Sequence, residues 1–221
     1  MEGLDSERTI RRSAISVAVA VSVFGLSFGV VAAEAGLGTA KAAVMSLLIF
    51  SGGSQFAAVS VVAAGGSQAA AVVSGLLLNV RLLAFGISVA PLVGAGRLRR
   101  CVGAQLVVDE TTALATAVPD RRLARRAFWM TGLAIFVGWN VATVLGAEAG
   151  QLFGDPERIG LDGAFPAVFV ALLVPRLRDP AARWAALVGA AVALVLVPVV
   201  PPGVPIVAAA LGAVVALRMG R

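Results

Sequence analysis

Eight apolar segments follow one another along this chain with only short polar connections, and no other feature limits its fold as strongly. They are Ser13 to Ala33, Ala40 to Ala64, Ala69 to Val93, Cys101 to Val118, Ala127 to Ala147, Gly163 to Pro175, Trp184 to Val200 and Val204 to Ala216. As a helix the first would extend about 31 Å, enough for the roughly 30 Å hydrocarbon core of a bilayer. Backbone groups in lipid must find partners within the protein, so the expected fold is all-α: a polytopic helical integral membrane protein. Charged residues make up only 14% of the chain, whereas a soluble globular domain carries about 25%.

Residues 1–12 are polar and contain Arg8, Arg11 and Arg12; they read as a cytoplasmic N-terminal segment, with a single transmembrane domain over 13–221. The many later apolar segments argue against a cleaved secretory signal. The net charge of +6 comes from short arginine clusters beside apolar segments, a pattern that orients a membrane chain and is not a continuous face for nucleic acid. If all eight segments cross from an inside N-terminus, Arg121, Arg122, Arg125 and Arg126 lie inside, as do Arg176, Arg178, Arg183, Arg218 and Arg221. The acidic linker with Glu148, Asp155, Glu157 and Asp162 then lies outside. One cluster breaks this pattern, because Arg97, Arg99 and Arg100 would be external. Eight crossings are favoured as the simpler topology. The alternative lets Ala40 to Ala64 and Cys101 to Val118 enter and return to the same side, each broken at a polar centre shielded by protein or water.

Short or Gly/Pro-interrupted segments are also expected where backbone groups are exposed to a ligand. Cys101 to Val118 and Gly163 to Pro175 are both short. Val23 to Gly36 and Phe136 to Gly150 share a loose pattern of Phe, Gly and small residues ending in Glu-Ala-Gly, which suggests an internal repeat or a chance match among 25 glycines.

Arg81 stands midway along Ala69 to Val93, where an unpaired guanidinium costs several kcal/mol; such a group faces a bundle interior or wet cavity and has a partner. The candidate partners are Asp109 and Glu110. Ser74, Leu78, Arg81, Phe85 and Ser88 form a rough helical stripe, whereas Asn79 points elsewhere and is expected to brace a neighbouring helix. Gln105, Asp109, Thr112 and Thr116 form a second stripe, with Glu110 turned about 100° away. Gly52, Gly53, Ser54 and Gln55 place small and polar groups at membrane depth. They suit either close helix packing or an unwound turn contacting a solute or ion. Arg81 offers a fixed fork of donors to a carboxylate. Asp109 suits an ammonium or Arg81, and Glu110 suits a coupling proton, although the two acids are exchangeable in these roles and both also fit an assembly ion pair.

Trp139 and Asn140 interrupt the fifth segment, while Trp129 and Trp184 lie nearer segment ends, as interfacial anchors do. Cys101 is the sole cysteine and histidine is absent, which leaves no intrachain disulfide, no cysteine metal site and only Asp, Glu and water to move protons near neutrality. The chain shows neither a phosphate loop nor a dinucleotide fingerprint nor a nucleophile–base arrangement, so no cofactor, metal or enzymatic activity is expected.

Several motifs occur in an order that resembles the large subunit of the AzlC-type branched-chain amino acid exporter family. They are Phe24 to Gly29; Met45, Ser46, Phe50, Gly52, Gln55 and Phe56; Asn79, Arg81 and Pro91; Asp109 and Glu110; Gly138 and Trp139; and the run Leu161 to Pro175. The resemblance implies secondary active export of leucine, isoleucine and valine across a bacterial or archaeal cytoplasmic membrane, with a small AzlD-type membrane subunit as partner and no ATPase. The working mechanism is alternating access with proton coupling, with substrate contacts expected from Gly52, Gly53, Ser54, Gln55, Asn79, Arg81 and Phe85 and coupling at Asp109 and Glu110. Homo-oligomerisation stays open, as do export of another small amphipathic solute and a non-transporting assembly role. The chain departs from the family pattern at Leu82, where many relatives carry His, and at Phe85, where an aromatic hydroxyl is common. A histidine relay is therefore absent at that position.

Overall fold

The computed structural model describes residues 7–152, 170, 173–174, 176–200 and 204–209. Most of Gly163 to Pro175, the second half of Val204 to Ala216 and the acids Asp155, Glu157 and Asp162 lie outside the described residues. Regular structure among the described residues is helical: α1 (Glu7–Glu34), α2 (Gly38–Leu48), α3 (Gly52–Ala63), α4 (Gln68–Asn79), α5 (Arg81–Val93), α6 (Arg97–Gln105), α7 (Asp109–Thr116), α8 (Arg121–Leu152), a 3-10 turn (Arg176–Arg178), α9 (Pro180–Leu196) and α10 (Val204–Ala209). The integral membrane fold expected from the apolar runs is what forms.

Helices α1 and α8 are long and apolar enough to cross a membrane, and they pack side by side in parallel. Glu7 pairs with Arg126 at one end, so the expected N-terminal segment is already helical from Glu7 and docked on α8. Further along, Gly25 lies against Trp139, Gly29 against the Thr143 carbonyl, and Gly150 against Val30 and Ala33. A side chain on these glycines would strike the opposing backbone, so small residues set the close approach, as in membrane helix pairs generally. The two sequence stretches that resemble each other, Val23 to Gly36 and Phe136 to Gly150, thus face one another at matching depth. Arg8, Arg11, Arg12, Arg121, Arg122, Arg125 and Arg126 cluster at the shared start of the two helices, the arginine end of the protein.

Positions along α8 locate the shorter helices. Thr39 of α2 is bonded by Gln151 near the far end, Ser46 lies 3.3 Å from Thr143, and Phe50 packs edge-on to Phe136 at 5.0 Å between centroids. The chain then turns back. Gln55 of α3 meets Trp139, and Phe56 meets Phe28 at 5.6 Å. α3 continues to a turn at 64–67 and pairs with α4, whose Asn79 returns to Ser54. Thus α2–α3 is a helical hairpin inserted from the far end. α4 and α5 together run on to the arginine end, where Arg121 donates to the Pro91 carbonyl, and they bend by 43° at Val80.

The α6–α7 pair enters from the arginine end. Arg99 lies over the Trp129 ring at 5.4 Å, Leu106 reaches Gly132, and α7 leads back through 117–120 into the start of α8. Each hairpin arm is only about 12–18 Å long, roughly half a bilayer core. The expectation of eight crossings is therefore corrected for Ala40 to Ala64 and Cys101 to Val118, which enter and return. The physical reason lies in their tips: the Gln105 side-chain amide of the second hairpin donates to the Leu47 carbonyl of the first at 2.8 Å, which satisfies an exposed backbone acceptor there. Thr111 closes the second tip, accepting from the Val108 amide at 3.0 Å and donating to the Leu106 carbonyl at 2.8 Å. With this topology Arg97, Arg99 and Arg100 lie at the same end as Arg8, Arg11, Arg12, Arg121, Arg122, Arg125 and Arg126.

Candidate functional site

The two hairpin tips and the α4–α5 bend surround a cavity of about 420 Å³, within the roughly 300–1,000 Å³ span of small-molecule sites. Ser51, Gly52 and Gly53 line it from the start of α3, Val108, Asp109 and Glu110 from the start of α7, and Leu78 and Arg81 from either side of the bend. Val21 and Phe24 of α1, Phe50, Phe56, Ile135, Trp139 and Leu173 supply apolar and aromatic walls. Two helices thus begin at the cavity from opposite ends of the protein. Their first-turn amides lack intrahelical acceptors and carry the positive end of the helix dipole, a ready anion site.

Arg81 Nη2 lies 2.8 Å from Asp109 Oδ2, with side-chain exposures of 40% and 26%. That exposure leaves both groups in reach of a solute entering the cavity. The bend at Val80 puts Leu78 and Arg81 on the wall but takes Phe85 elsewhere, half-buried against the core. The proposed stripe from Ser74 to Ser88 therefore does not hold as one face. The stripe through Gln105, Asp109, Thr112 and Thr116 is likewise corrected, because the helix breaks at 106–108 and Gln105 turns to the other hairpin. In the first turn of α7, Asp109 and Glu110 both line the cavity.

Gly52, Gly53, Arg81, Asp109 and Glu110 are thus brought together, while Ser54, Gln55, Asn79 and Phe85 stand behind or away from the wall. Ser54 is buried and donates to Asn79 Oδ1 at 2.6 Å, tying α3 to α4. Gln55, fully buried, accepts from Trp139 Nε1 at 3.0 Å, while its own Nε2 has no hydrogen-bond partner among the described residues. A Cβ on Gly52 would stand 2.8 Å from the Trp139 ring, and one on Gly53 would stand 3.5 Å from Arg81 Nη2. Glycine at these positions lets the ring and the guanidinium approach the backbone. Leu82 points away from the cavity into a groove between α5 and α6. Sequence reasoning did not assign Ser51, Val108, Ile135 or Trp139 to the site; for Trp139 the available signal was an indole in mid-segment, away from an interface.

Helices long enough to cross, two opposed half-depth hairpins and a charged cavity where their tips meet define a polytopic integral membrane protein. The chain belongs to the AzlC family: the model described as "AzlC protein" matches residues 16–153, more than half of its length. It is similar to a protein of Helicobacter pylori strain J99, described as an uncharacterized membrane protein, at 24% identity over 183 residues, covering 82% of this chain and 80% of the relative. A counterpart in H. pylori strain 26695, with the same description, is also 24% identical over 183 residues, with the same coverage of both chains. No solved structure matches the chain.

Proposed function

We propose that this protein exports branched-chain amino acids by secondary active, alternating-access transport. The observation that carries this reading is the Arg81–Asp109 pair on an aromatic-walled cavity beside two helix N-termini. An amino acid zwitterion matches all three features. Its carboxylate binds Arg81 and the Gly52–Gly53 amides, its ammonium binds Asp109, and its branched side chain contacts Phe24, Phe50, Phe56 and Trp139. Glu110 carries the coupling proton. Selectivity among leucine, isoleucine and valine is modest, since one methylene contributes about 1–3 kcal/mol in an apolar pocket.

The arginine end faces the cytoplasm, in keeping with the bias of basic residues toward that side. A small AzlD-type membrane subunit is the partner, and the protein moves its solute without a chemical step. The family match and the broken-helix architecture support this reading. Counterflow into proteoliposomes preloaded with leucine, isoleucine or valine, with and without the small subunit, tests it. Uptake of labelled leucine driven by internal unlabelled leucine is expected. Failure with all three amino acids, under counterflow and an imposed proton gradient alike, rejects the assignment.

A further inference from the structure

A second concavity, of about 720 Å³, lies outside the central site, between α5 and α6. On α5 it is lined by Leu82, Leu83, Gly86, Ile87, Ala90 and Val93, and on the other side by Arg100, Ala104 and Val107. The two helices touch where Val93 meets Gly103 at the arginine end. From Leu82 to Val93 the groove runs about 16 Å, close to the depth of one leaflet. Its α5 wall is apolar, and beyond the backbone of α5 itself no atom lies within 4 Å of a Cβ added to Gly86.

Charge appears at one end only. Arg100 sits at the arginine end, where the lipid headgroups of that leaflet would lie, and no acid lines the groove among the described residues. Its neighbour Arg99 is turned to Trp129 instead. A long apolar trough of single-leaflet depth with a guanidinium at its mouth matches one acyl chain with a phosphate above it; basic pockets at helix ends bind anionic headgroups in this way.

We propose that this groove is a binding site for one anionic phospholipid of the arginine-side leaflet, its chain along Gly86 and Ala90 and its phosphate on Arg100. The bound lipid fills the gap between the helix carrying Arg81 and the hairpin carrying Asp109, and so braces the two halves of the central ion pair. Leu82 is the floor of this trough, which gives the departure from histidine at that position a packing role.

The test needs no transport activity. The purified full-length protein is titrated with phosphatidylglycerol and phosphatidylcholine of identical chains, and the last lipid retained on activation is read by native mass spectrometry. Retention of phosphatidylglycerol is expected to exceed that of phosphatidylcholine about fivefold, the ratio one arginine near an anionic surface supplies. Arg100→Gln, an exposed change that spares the fold, brings the ratio to parity. Gly86→Leu fills the trough, improves helix propensity and lowers retention of both lipids. Equal retention by the unaltered protein, or a preference untouched by Arg100→Gln, overturns the proposal. So does a photocrosslinker at Gly86 that captures a polypeptide in membranes and no lipid.

Discussion

Replacing Arg81 by glutamine removes the cation at the centre of the cavity, 2.8 Å from Asp109. Breaking a fully buried ion pair costs about 3–5 kcal/mol, and an exposed one contributes about 0–1 kcal/mol. With side chains 40% and 26% exposed, this pair falls between those limits, and a stability loss of about 1–2 kcal/mol is expected. The transport effect is larger if Arg81 also holds the substrate carboxylate. A hydrogen bond to a charged group contributes about 1.5–3 kcal/mol, so the apparent affinity falls roughly 10- to 150-fold. Arg81→Lys keeps the charge but loses the planar fork, and it should lie between the two. The double variant Arg81→Gln/Asp109→Asn removes both charges; it should regain much of the lost stability and none of the transport. Thermal unfolding followed by size-exclusion profile reads the first quantity, and the concentration dependence of counterflow reads the second. Near-normal counterflow in both Arg81→Gln and Arg81→Lys, with assembly intact, refutes a substrate role for the guanidinium. Transport restored together with stability in the double variant shows that the pair serves only to hold the hairpin.

Topology is tested in a Cys101→Ser background: single cysteines at Ala95 and Asp120 should label from the same side of the membrane, and one at Ala64 from the opposite side. Labelling of Ala95 and Asp120 from different sides would restore a full crossing for 101–118. Gly52→Ala drives a methyl to within 2.8 Å of the Trp139 ring, and a loss of about 1–3 kcal/mol from overpacking should appear as a lower unfolding temperature. Trp139→Phe removes the donor to a fully buried Gln55, leaving its carbonyl oxygen unsatisfied at a cost of about 1–3 kcal/mol. The second change Gln55→Leu should recover part of that loss in the same melting assay, and no recovery would rule out the hydrogen bond as the cause.

Much of the site was legible because polar residues at membrane depth are too costly to be incidental. Arg81, Asp109, Glu110 and the Gly52–Gly53 turn all stood out on that ground, and all line one cavity. The helical stripes drawn through Arg81 and Asp109 failed because they assumed unbroken helices. A bend at Val80 and a break at 106–108 reset the periodicity, so Phe85 left the site and Glu110 joined Asp109 on its wall. Ser54, Gln55 and Asn79 looked like solute contacts because their chemistry suits a ligand equally well. Their partners prove to be one another and Trp139, each supplied by a different helix.

The amino-acid sequence alone determined that the chain is helical and membrane-embedded, where its apolar segments lie, and which charges require burial in company. Those properties follow from local composition and from the cost of exposing polar groups to lipid. Whether 40–64 and 101–118 cross or return was decided only in the tertiary structure. A half-depth hairpin is tolerable in a bilayer only when its tip meets another element, and here the two tips meet through Gln105 of one and the Leu47 carbonyl of the other. That contact joins residues 58 positions apart, and the apolar pattern around either partner reads the same with or without it.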